Sequence, residues 1–385
     1  MAERKRLAIK FDVGYKYSSG ATIYFINIIN ALNTLPDNKK PDVYIVYSAI
    51  APVDDIKATG YAYLHLVPIK PLAAPLRMIN RLYRNLFVTK KFTLFNTKST
   101  PVVMDAAFSL CIPCDDLNKK KQFIWYADLQ THHHPQNYSA MEIKKTAENE
   151  IRNLKAGYPV VLSSQWCVDD FYSIYPNYPH PVKRLRFAPT HPNFSGISFA
   201  ELQNKFTIAA PYFIVSNQYW IHKNHIAVFK AIKLLKDKGI EVLCLCTGSP
   251  VVASANGKDY VEGLLRFVKE NGLEKNIQFL GFIQRQEQLC LMQNSLAIIQ
   301  PSFFESWNTT VEDAKALNKF IIVSSLKIHR EQLDCNCAFF DPTSEGALAV
   351  IMQNCLQQAP QIVLKDYKKN IEQFGQDILD VFELN

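Results

Sequence analysis

Nowhere in its 385 residues does the chain carry an apolar run long enough to span a bilayer; the longest, such as Leu296–Ile299 and Phe320–Val323, have the length of strands. The N-terminus also lacks the apolar core of a signal peptide, because Met1-Ala-Glu-Arg-Lys-Arg6 leads straight into the short run Leu7–Ile9. A cytoplasmic protein is the expectation. The nine cysteines include only two close pairs, Cys111-Ile-Pro-Cys114 and Cys335-Asn-Cys337, and neither has the partner spacing of a zinc site. Free, buried thiols are expected instead. Metal-binding histidine spacings and recognisable nucleic-acid modules are also missing. Charge is moderate, at a formal +8, which suits an anionic ligand or an anionic surface.

What the chain does contain is the material for packed cores. Hydrophobic residues make up 48 % and charged residues 20 %, and the length suits two domains better than one. Leu7–Phe11 reads as a strand, followed by a polar loop with Gly14, Ser18, Ser19 and Gly20, a helix over Ala21–Leu35 and a strand at Asp42–Tyr47. This order predicts a parallel, doubly wound sheet. Further strands are expected at Tyr63–Val67, Ala106–Leu110, Gln122–Tyr126 and Val160–Ser163. A Pro-, Asn- and Ser-rich stretch from Phe187 to Pro211 reads as a linker, after which the pattern restarts. Tyr212–Ser216, Glu241–Cys246, Ile277–Leu280, Leu296–Gln300 and Phe320–Val323 are the second set of strands, and His225–Lys238 is a helix. The expected α/β architecture is therefore two Rossmann-like doubly wound halves, 1–200 and 201–369, facing across a cleft, with a helix at 370–385 packing back on the first.

One segment departs from this alternation. Pro75–Lys98 interleaves Arg77, Arg81, Arg84, Lys90, Lys91 and Lys98 with apolar residues. A basic amphipathic helix of this kind can lie on an anionic membrane, or it can be an ordinary surface helix with its apolar side inward.

The densest chemistry lies between Pro301 and Lys319. A buried strand ends at Gln300, Glu305 sits in the following loop, and the pair Thr309/Glu312 has the spacing of a capping box that would start a helix. A helix N-terminus at the carboxyl end of a parallel strand favours an anion, most simply a phosphate. Glu305 and Asp313 would then accept hydrogen bonds from sugar and ribose hydroxyls, with Glu312 the cap.

This segment, Pro301-Ser-Phe-Phe-Glu305 followed by Asp313-Ala314, resembles the signature of retaining glycosyltransferases of the GT-B fold, family 4 (glycosyl transferases group 1). Asp313 stands where the family has a second Glu. Tyr212–His225 is similar to the first strand and loop of the family's donor domain, in which Lys223 matches the diphosphate-binding Lys and Gln218 replaces an Arg. Gly248 and Phe282 fall in turns similar to those that border the nucleotide, and Ser324–Gln332 matches a subgroup. In the first half, Asp128-Leu-Gln-Thr-His-His133-His-Pro135 resembles a loop that faces the donor sugar, with His133 or Gln130 making polar contacts. Its adjacent histidines, on an extended loop, would diverge rather than chelate one ion. Gly20 sits where the family places an N-terminal glycine loop.

The resemblance implies transfer of a sugar from a nucleotide-diphosphate sugar to a glycan or lipid-linked acceptor, with retention and without a metal or other cofactor, in surface polysaccharide biosynthesis. Catalytic roles fall to Glu305, Lys223 and His133; Ser306, Trp307, Asn308, Thr309, Thr310 and Asp313 would line the donor, together with Gly20, Gln218, Gly248 and Phe282. The rival readings are a non-catalytic sugar-nucleotide-binding or scaffold relative, kept open by Gln218 and Asp313, and a GT-B epimerase that would turn over without an acceptor.

Overall fold

The computed structural model describes residues 3–11, 19–48, 51–70, 72–87, 94–209, 211–249 and 255–385. The part of the N-terminal glycine loop that holds Gly14 and Ser18 lies outside them, as do Lys90 and Lys91. The chain divides into two compact units, residues 1–190 with 368–385, and residues 191–367.

The first unit carries strands β1 (Arg6–Phe11), β2 (Asp42–Tyr47), β3 (Leu64–Pro68), β4 (Val103–Leu110), β5 (Asn118–Trp125), β6 (Val160–Leu162) and β7 (Val182–Arg184). Its helices are α1 (Ser19–Asn33), α2 (Val53–Lys57), α3 (Ala74–Leu86), α4 (Gln130–His133), α5 (Ala140–Lys155) and α6 (Gln165–Ile174). The strands form one sheet in the order β3-β2-β1-β4-β5-β6-β7, every pairing parallel.

The second unit contains α7 (Phe199–Phe206), β8 (Tyr212–Ser216), α8 (His225–Asp237), β9 (Leu243–Thr247), α9 (Ala255–Glu270), β10 (Ile277–Gly281) and α10 (Arg285–Asn294). It continues through β11 (Ala297–Gln300), α11 (Thr309–Ala316), β12 (Ile321–Ser324), α12 (Lys327–Gln332), β13 (Cys337–Phe340) and α13 (Glu345–Gln357). Its sheet is again parallel throughout, in the order β10-β9-β8-β11-β12-β13. Both orders run outward in two directions from a central pair, as in a doubly wound sheet.

Central strands such as Tyr212–Ser216, Ala297–Gln300 and Ile321–Ser324 are buried along their whole length. That is why they read as continuous apolar runs rather than alternating ones: helices cover both faces of a parallel sheet. One face of the second sheet packs Val228, Ile232 and Leu235 of α8 and Leu348 and Met352 of α13. The other packs Leu291 and Met292 of α10 with Val311 and Ala314 of α11. The spacing of these side chains is helical, so one stripe of each helix is inside.

Two edge strands, β7 and β13, were not among those the sequence marked, and α7 lies within the stretch that reads as a linker. Ser198 caps α7 by accepting the Glu201 N–H. The last helix, α14 (Lys368–Phe382), lies on α1 in the first unit. Contact is close at Gly375, where a Cβ would run into the Ala31 carbonyl. Phe382 packs on Phe108 and Phe123, and Lys183 bonds both the Val381 carbonyl and Glu383.

Candidate active site

In the second unit the strand order reverses between β8 and β11, the position at which open α/β sheets hold ligands beyond the carboxyl ends of their strands. The loops leaving these two strands are locked to each other. Asn224, held at a φ of 52°, donates its Nδ2 to the carbonyls of Pro301 (3.1 Å) and Pro342 (2.9 Å). The Phe303 N–H donates to the His222 carbonyl at 2.8 Å. Asn217 reaches Gln300 Oε1 at 2.9 Å from its own side of the crevice.

These constraints bring two charges together. Lys223 Nζ lies 2.6 Å from Glu305 Oε1, and Gln300 Nε2 donates to the same oxygen at 2.9 Å. Glu305 is buried, with Lys223 nearly so. Burial by itself pushes the Glu305 carboxyl up; the charges of Lys223 and His222, with hydrogen bonds from Lys223 and Ser302, outweigh it and hold it below the usual range. His329, within electrostatic reach of Lys223 and Glu305, is fully buried, and its Nδ1 sits 2.8 Å from the Ser324 carbonyl. Burial keeps His329 below its ordinary value against the opposing pull of Glu305, so the ring is neutral and Nδ1–H is the donor.

The helix start differs from the expected capping box. The cap of α11 is Asn308, whose Oδ1 accepts the Val311 N–H at 3.1 Å. Thr309 is already helical. Glu312 does not cap at all: it is buried and takes hydrogen bonds from Gln332 Nε2 (3.0 Å), Tyr367 Oη (2.5 Å) and Lys315 Nζ (2.9 Å). Gln332 also bonds the backbone N–H and carbonyl of Asn308, both at 3.1 Å, which fixes the cap from below. Thr310 Oγ1 donates to the Ser216 carbonyl at the end of β8.

Residues 200–374 match the family model of the glycosyl transferases group 1. Over 152 residues the chain is 24 % identical to the O-antigen chain mannosyltransferase RfbU of Salmonella typhimurium, a match that spans 40 % of this chain and 40 % of that protein. Among solved structures, Anabaena HepE in complex with UDP-glucose is similar over 99 % of this chain and 97 % of its own, with a TM-score of 0.63 at 14 % identity. WaaG, a glycosyltransferase involved in lipopolysaccharide biosynthesis, is similar over 98 % of this chain and 97 % of its own, with a TM-score of 0.58 at 12 % identity. The match to the glycosyl transferases group 1 thus covers most of the second unit. The fold of the whole chain is that of the GT-B glycosyltransferases, two parallel-sheet α/β units.

Within this second unit, the residues singled out from the sequence fall into three sets. Glu305, Ser306, Trp307, Asn308, Thr309 and Thr310 surround the start of α11, with Lys223 brought in from the β8 loop. Gln218 is turned away from any cationic role: its Oε1 accepts the Ser249 N–H at 2.9 Å. It braces the turn at Gly248, whose φ of 131° and contact with the Asn217 carbonyl leave no room for a Cβ. The Gly248 N–H in turn donates to Gly281, so three turns share one hydrogen-bonded strip, from which Phe282 projects into solvent. Asp313 forms the third set. Its Oδ1 accepts from His191 Nε2 at 2.9 Å and pairs with the Arg285 guanidinium. Burial pushes Asp313 up, but the Arg285 charge and the His191 bond outweigh it and hold it low. Arg285, His191, Gln300 and His329 are the residues the sequence did not flag; a Gln closing an apolar strand was the one visible signal.

In the first unit, the three-histidine segment is helical rather than extended, Gln130–His133 forming α4. Its histidines do diverge. His132 bonds Glu150 at 2.9 Å and His133 bonds Asp170 at 2.8 Å, while Gln130 accepts from Tyr138 Oη at 2.7 Å. Gly20 lies in the first turn of α1 instead of in the loop before it. Among the described residues, no group of three His, Cys, Asp or Glu could hold a metal ion, and no helix is long and apolar enough to cross a membrane.

Proposed function

We infer that the protein is a retaining glycosyltransferase that moves a sugar from a nucleotide-diphosphate donor to a glycan or lipid-linked glycan in surface polysaccharide biosynthesis. The observation that carries this reading is the Lys223–Glu305 pair at the reversal of the second sheet, beside the capped N-terminus of α11. When the donor enters, its diphosphate draws the Lys223 ammonium and takes the free N–H groups of α11; both stabilise the negative charge that grows on the leaving group. Glu305, kept ionised in a buried setting, is released to accept from the sugar hydroxyls. Positive charge from Lys223 and the helix supports a metal-independent mechanism, and full activity in EDTA is the expected result.

Asp313 is proposed as the ribose ligand, with Oδ2 as the accepting oxygen because Oδ1 is engaged. For His133 and Gly20, donor contact is our proposal from the family resemblance. The sugar of a UDP donor is favoured, since HepE was solved with UDP-glucose, and RfbU supplies the precedent of a mannosyltransferase for a glycan acceptor. Peripheral contact of α3 with the anionic inner face of a membrane is part of the same proposal, supported by Arg77, Arg81 and the exposed Met78, Leu82 and Leu86.

Thermal shift against UDP-, GDP- and dTDP-sugars tests the reading. The matching donor at a hundredfold excess over its Kd raises stability by about 2.7 kcal/mol, and Glu305→Ala must then abolish transfer. A second reading, a relative that binds the sugar nucleotide without transferring it, is favoured by one observation: Gln218 is committed to Ser249 and supplies no cation. Donor binding without any product from candidate acceptors would select that alternative.

A further inference from the structure

The second unit keeps most of its aromatic side chains inside, and the exceptions share one address. Among the described residues of this unit the exposed aromatics are Trp220, Phe282 and Phe303. Each follows the carboxyl end of a strand: Trp220 after β8, Phe282 after β10 and Phe303 after β11. On the outer faces of the helices the large exposed apolar residues are aliphatic instead, such as Leu234, Leu265 and Val350. Strands β8 and β11 are neighbours, so Trp220 and Phe303 leave the sheet about 4.8 Å apart in strand spacing. Phe282 belongs to a strand two places beyond β8, about 10 Å away on the other side.

The backbones of this pair are pinned while their rings are not used. The Trp220 N–H donates to the Gln218 carbonyl at 2.8 Å, and its own carbonyl accepts the Lys223 N–H at 2.9 Å. The Phe303 N–H holds the His222 carbonyl, which ties the two loops together. Among the described residues, Trp220 Nε1 has no hydrogen-bond partner, and neither ring stacks on another aromatic or on a cation. Trp220 is 44 % exposed and Phe303 38 %, whereas Glu305, two residues beyond Phe303, is buried. A fixed aromatic side chain offers a large contact at little entropic cost, because only two side-chain torsions need settling. Its face carries the negative part of the ring quadrupole. A pyranose is complementary to such a surface: its hydroxyls lie around the rim, while its faces present weakly positive C–H groups. A hydrocarbon tail would cover the rings but leave the Trp220 N–H unmet, and a phosphate finds no cation in either ring.

We propose that Trp220 and Phe303 form a platform on which a sugar of the glycan acceptor stacks, with Trp220 Nε1 donating to one of its hydroxyls. The proposal rests on the transferase reading above and adds to it a site for the second substrate. In that reading Glu305 and Lys223 already serve the donor sugar and diphosphate, and the strip from Gly248 to Phe282 borders the nucleotide. The acceptor is the reactant for which this unit has no assigned contact, and the platform lies in the same two loops as Lys223 and Glu305.

The full chain is titrated with the methyl α- and β-pyranosides of mannose, galactose, glucose, N-acetylglucosamine and rhamnose, and with farnesyl phosphate as a lipid probe, by saturation-transfer NMR. Thermal shift with UDP, GDP and dTDP is recorded on the same samples. At least one glycoside should bind the wild type, with transfer concentrated on the C–H protons of one pyranose face. The double variant W220A/F303A should bind it about 20-fold more weakly. W220F keeps a ring and discards the N–H, so its loss should be about fivefold. Both positions are exposed, so unliganded melting temperatures should stay within about 2 °C of wild type, and the nucleotide shift should be unchanged. A wild type that binds none of the glycosides, a double variant that binds them as well as wild type, or transfer spread evenly over the sugar would each overturn the platform. Loss of farnesyl phosphate binding in the double variant, with glycoside binding intact, would reassign the rings to a lipid tail. Loss of the nucleotide shift in the double variant would reassign them to the donor. Glycoside binding that depends on both rings, in a wild type that ignores all three nucleotides, would leave the platform standing and overturn the transferase reading instead.

Discussion

Charge is handled in opposite ways at the crevice of the second unit and on the α3–α5 face of the first. In the crevice, Glu305, Asp313 and Glu312 are all buried, and each is met by a cation and by neutral donors. On the α3–α5 face, Arg81, Lys144 and Lys145 stand exposed, as do Met78, Leu82 and Leu86, and among the described residues these three cations have no carboxylate partner. A buried, paired charge fixes geometry and is costly to break from one side, whereas an exposed one contributes little to stability and is free to meet a ligand. The first arrangement suits the preorganised site proposed above, and the second leaves its cations open to a ligand.

The comparison breaks most visibly at Lys223. Lys223→Ala leaves Glu305 buried without its cation, and we expect a loss of about 3 kcal/mol in stability together with at least a hundredfold fall in transfer. Adding Glu305→Ala should recover part of the stability and none of the activity. A denaturant melt of both variants beside a transfer assay separates the two effects; retention of transfer in the double variant would remove Lys223 and Glu305 from the mechanism.

How far the sequence could be read follows from the same physics. β8, β11 and β12 were legible because strands covered on both faces must be apolar throughout, whereas β7 and β13, half-buried at sheet edges, carry no such signature. Lys223 and Glu305 lie 82 positions apart, yet each stands in a local motif that marks it. Arg285 and His191 have no such motif. They meet Asp313 from 28 and 122 positions away, a juxtaposition that only the fold creates. The capping assignment failed for a more local reason. Thr309 with Glu312 and Asn308 with Val311 compete for one helix start, and Asn308 wins because Gln332 holds its backbone while Tyr367 and Lys315 draw Glu312 away.

Acid exposes a further contrast. His225 is fully buried, neither ring nitrogen has a hydrogen-bond partner among the described residues, and burial, followed by Lys223 and His222, lowers it from 6.5 to about 3. Between those values the unfolded chain binds a proton that the native protein refuses, so stability falls by about 1.4 kcal/mol per pH unit as pH drops below 6.5. His225→Leu should flatten that slope in melts between pH 7 and pH 5 (about two units). Glu305 and Asp313, held low, contribute stability that is complete above the ordinary carboxylate range and is lost only as pH falls through their lowered values. A slope near pH 6 that persists in His225→Leu would assign it elsewhere. At Arg285, partly exposed, Arg285→Ala should cost about 1–2 kcal/mol and move Asp313 up towards its ordinary range; a weaker uridine-nucleotide affinity that recovers with rising pH would tie Asp313 to the ribose.

The smallest effect is the most discriminating. Asn308 presents two groups: Oδ1 caps α11, while Nδ2 is buried with no hydrogen-bond partner among the described residues. A native protein tolerates an unsatisfied donor at a cost, and at the start of a helix proposed to receive a diphosphate we expect a ligand oxygen to meet it. Asn308→Ala removes cap and donor together and should lose about 1 kcal/mol of stability. Asn308→Ser keeps a capping oxygen and removes the longer-reaching Nδ2 amide donor, so stability should stay within about 0.5 kcal/mol of wild type while donor affinity falls about fivefold, the worth of one hydrogen bond. Thermal melts alone and with the matching nucleotide sugar measure both quantities on the same samples. Should Asn308→Ser bind donor as tightly as the wild type, Nδ2 does not meet the diphosphate, and the anion site on α11 must be drawn from its backbone N–H groups alone.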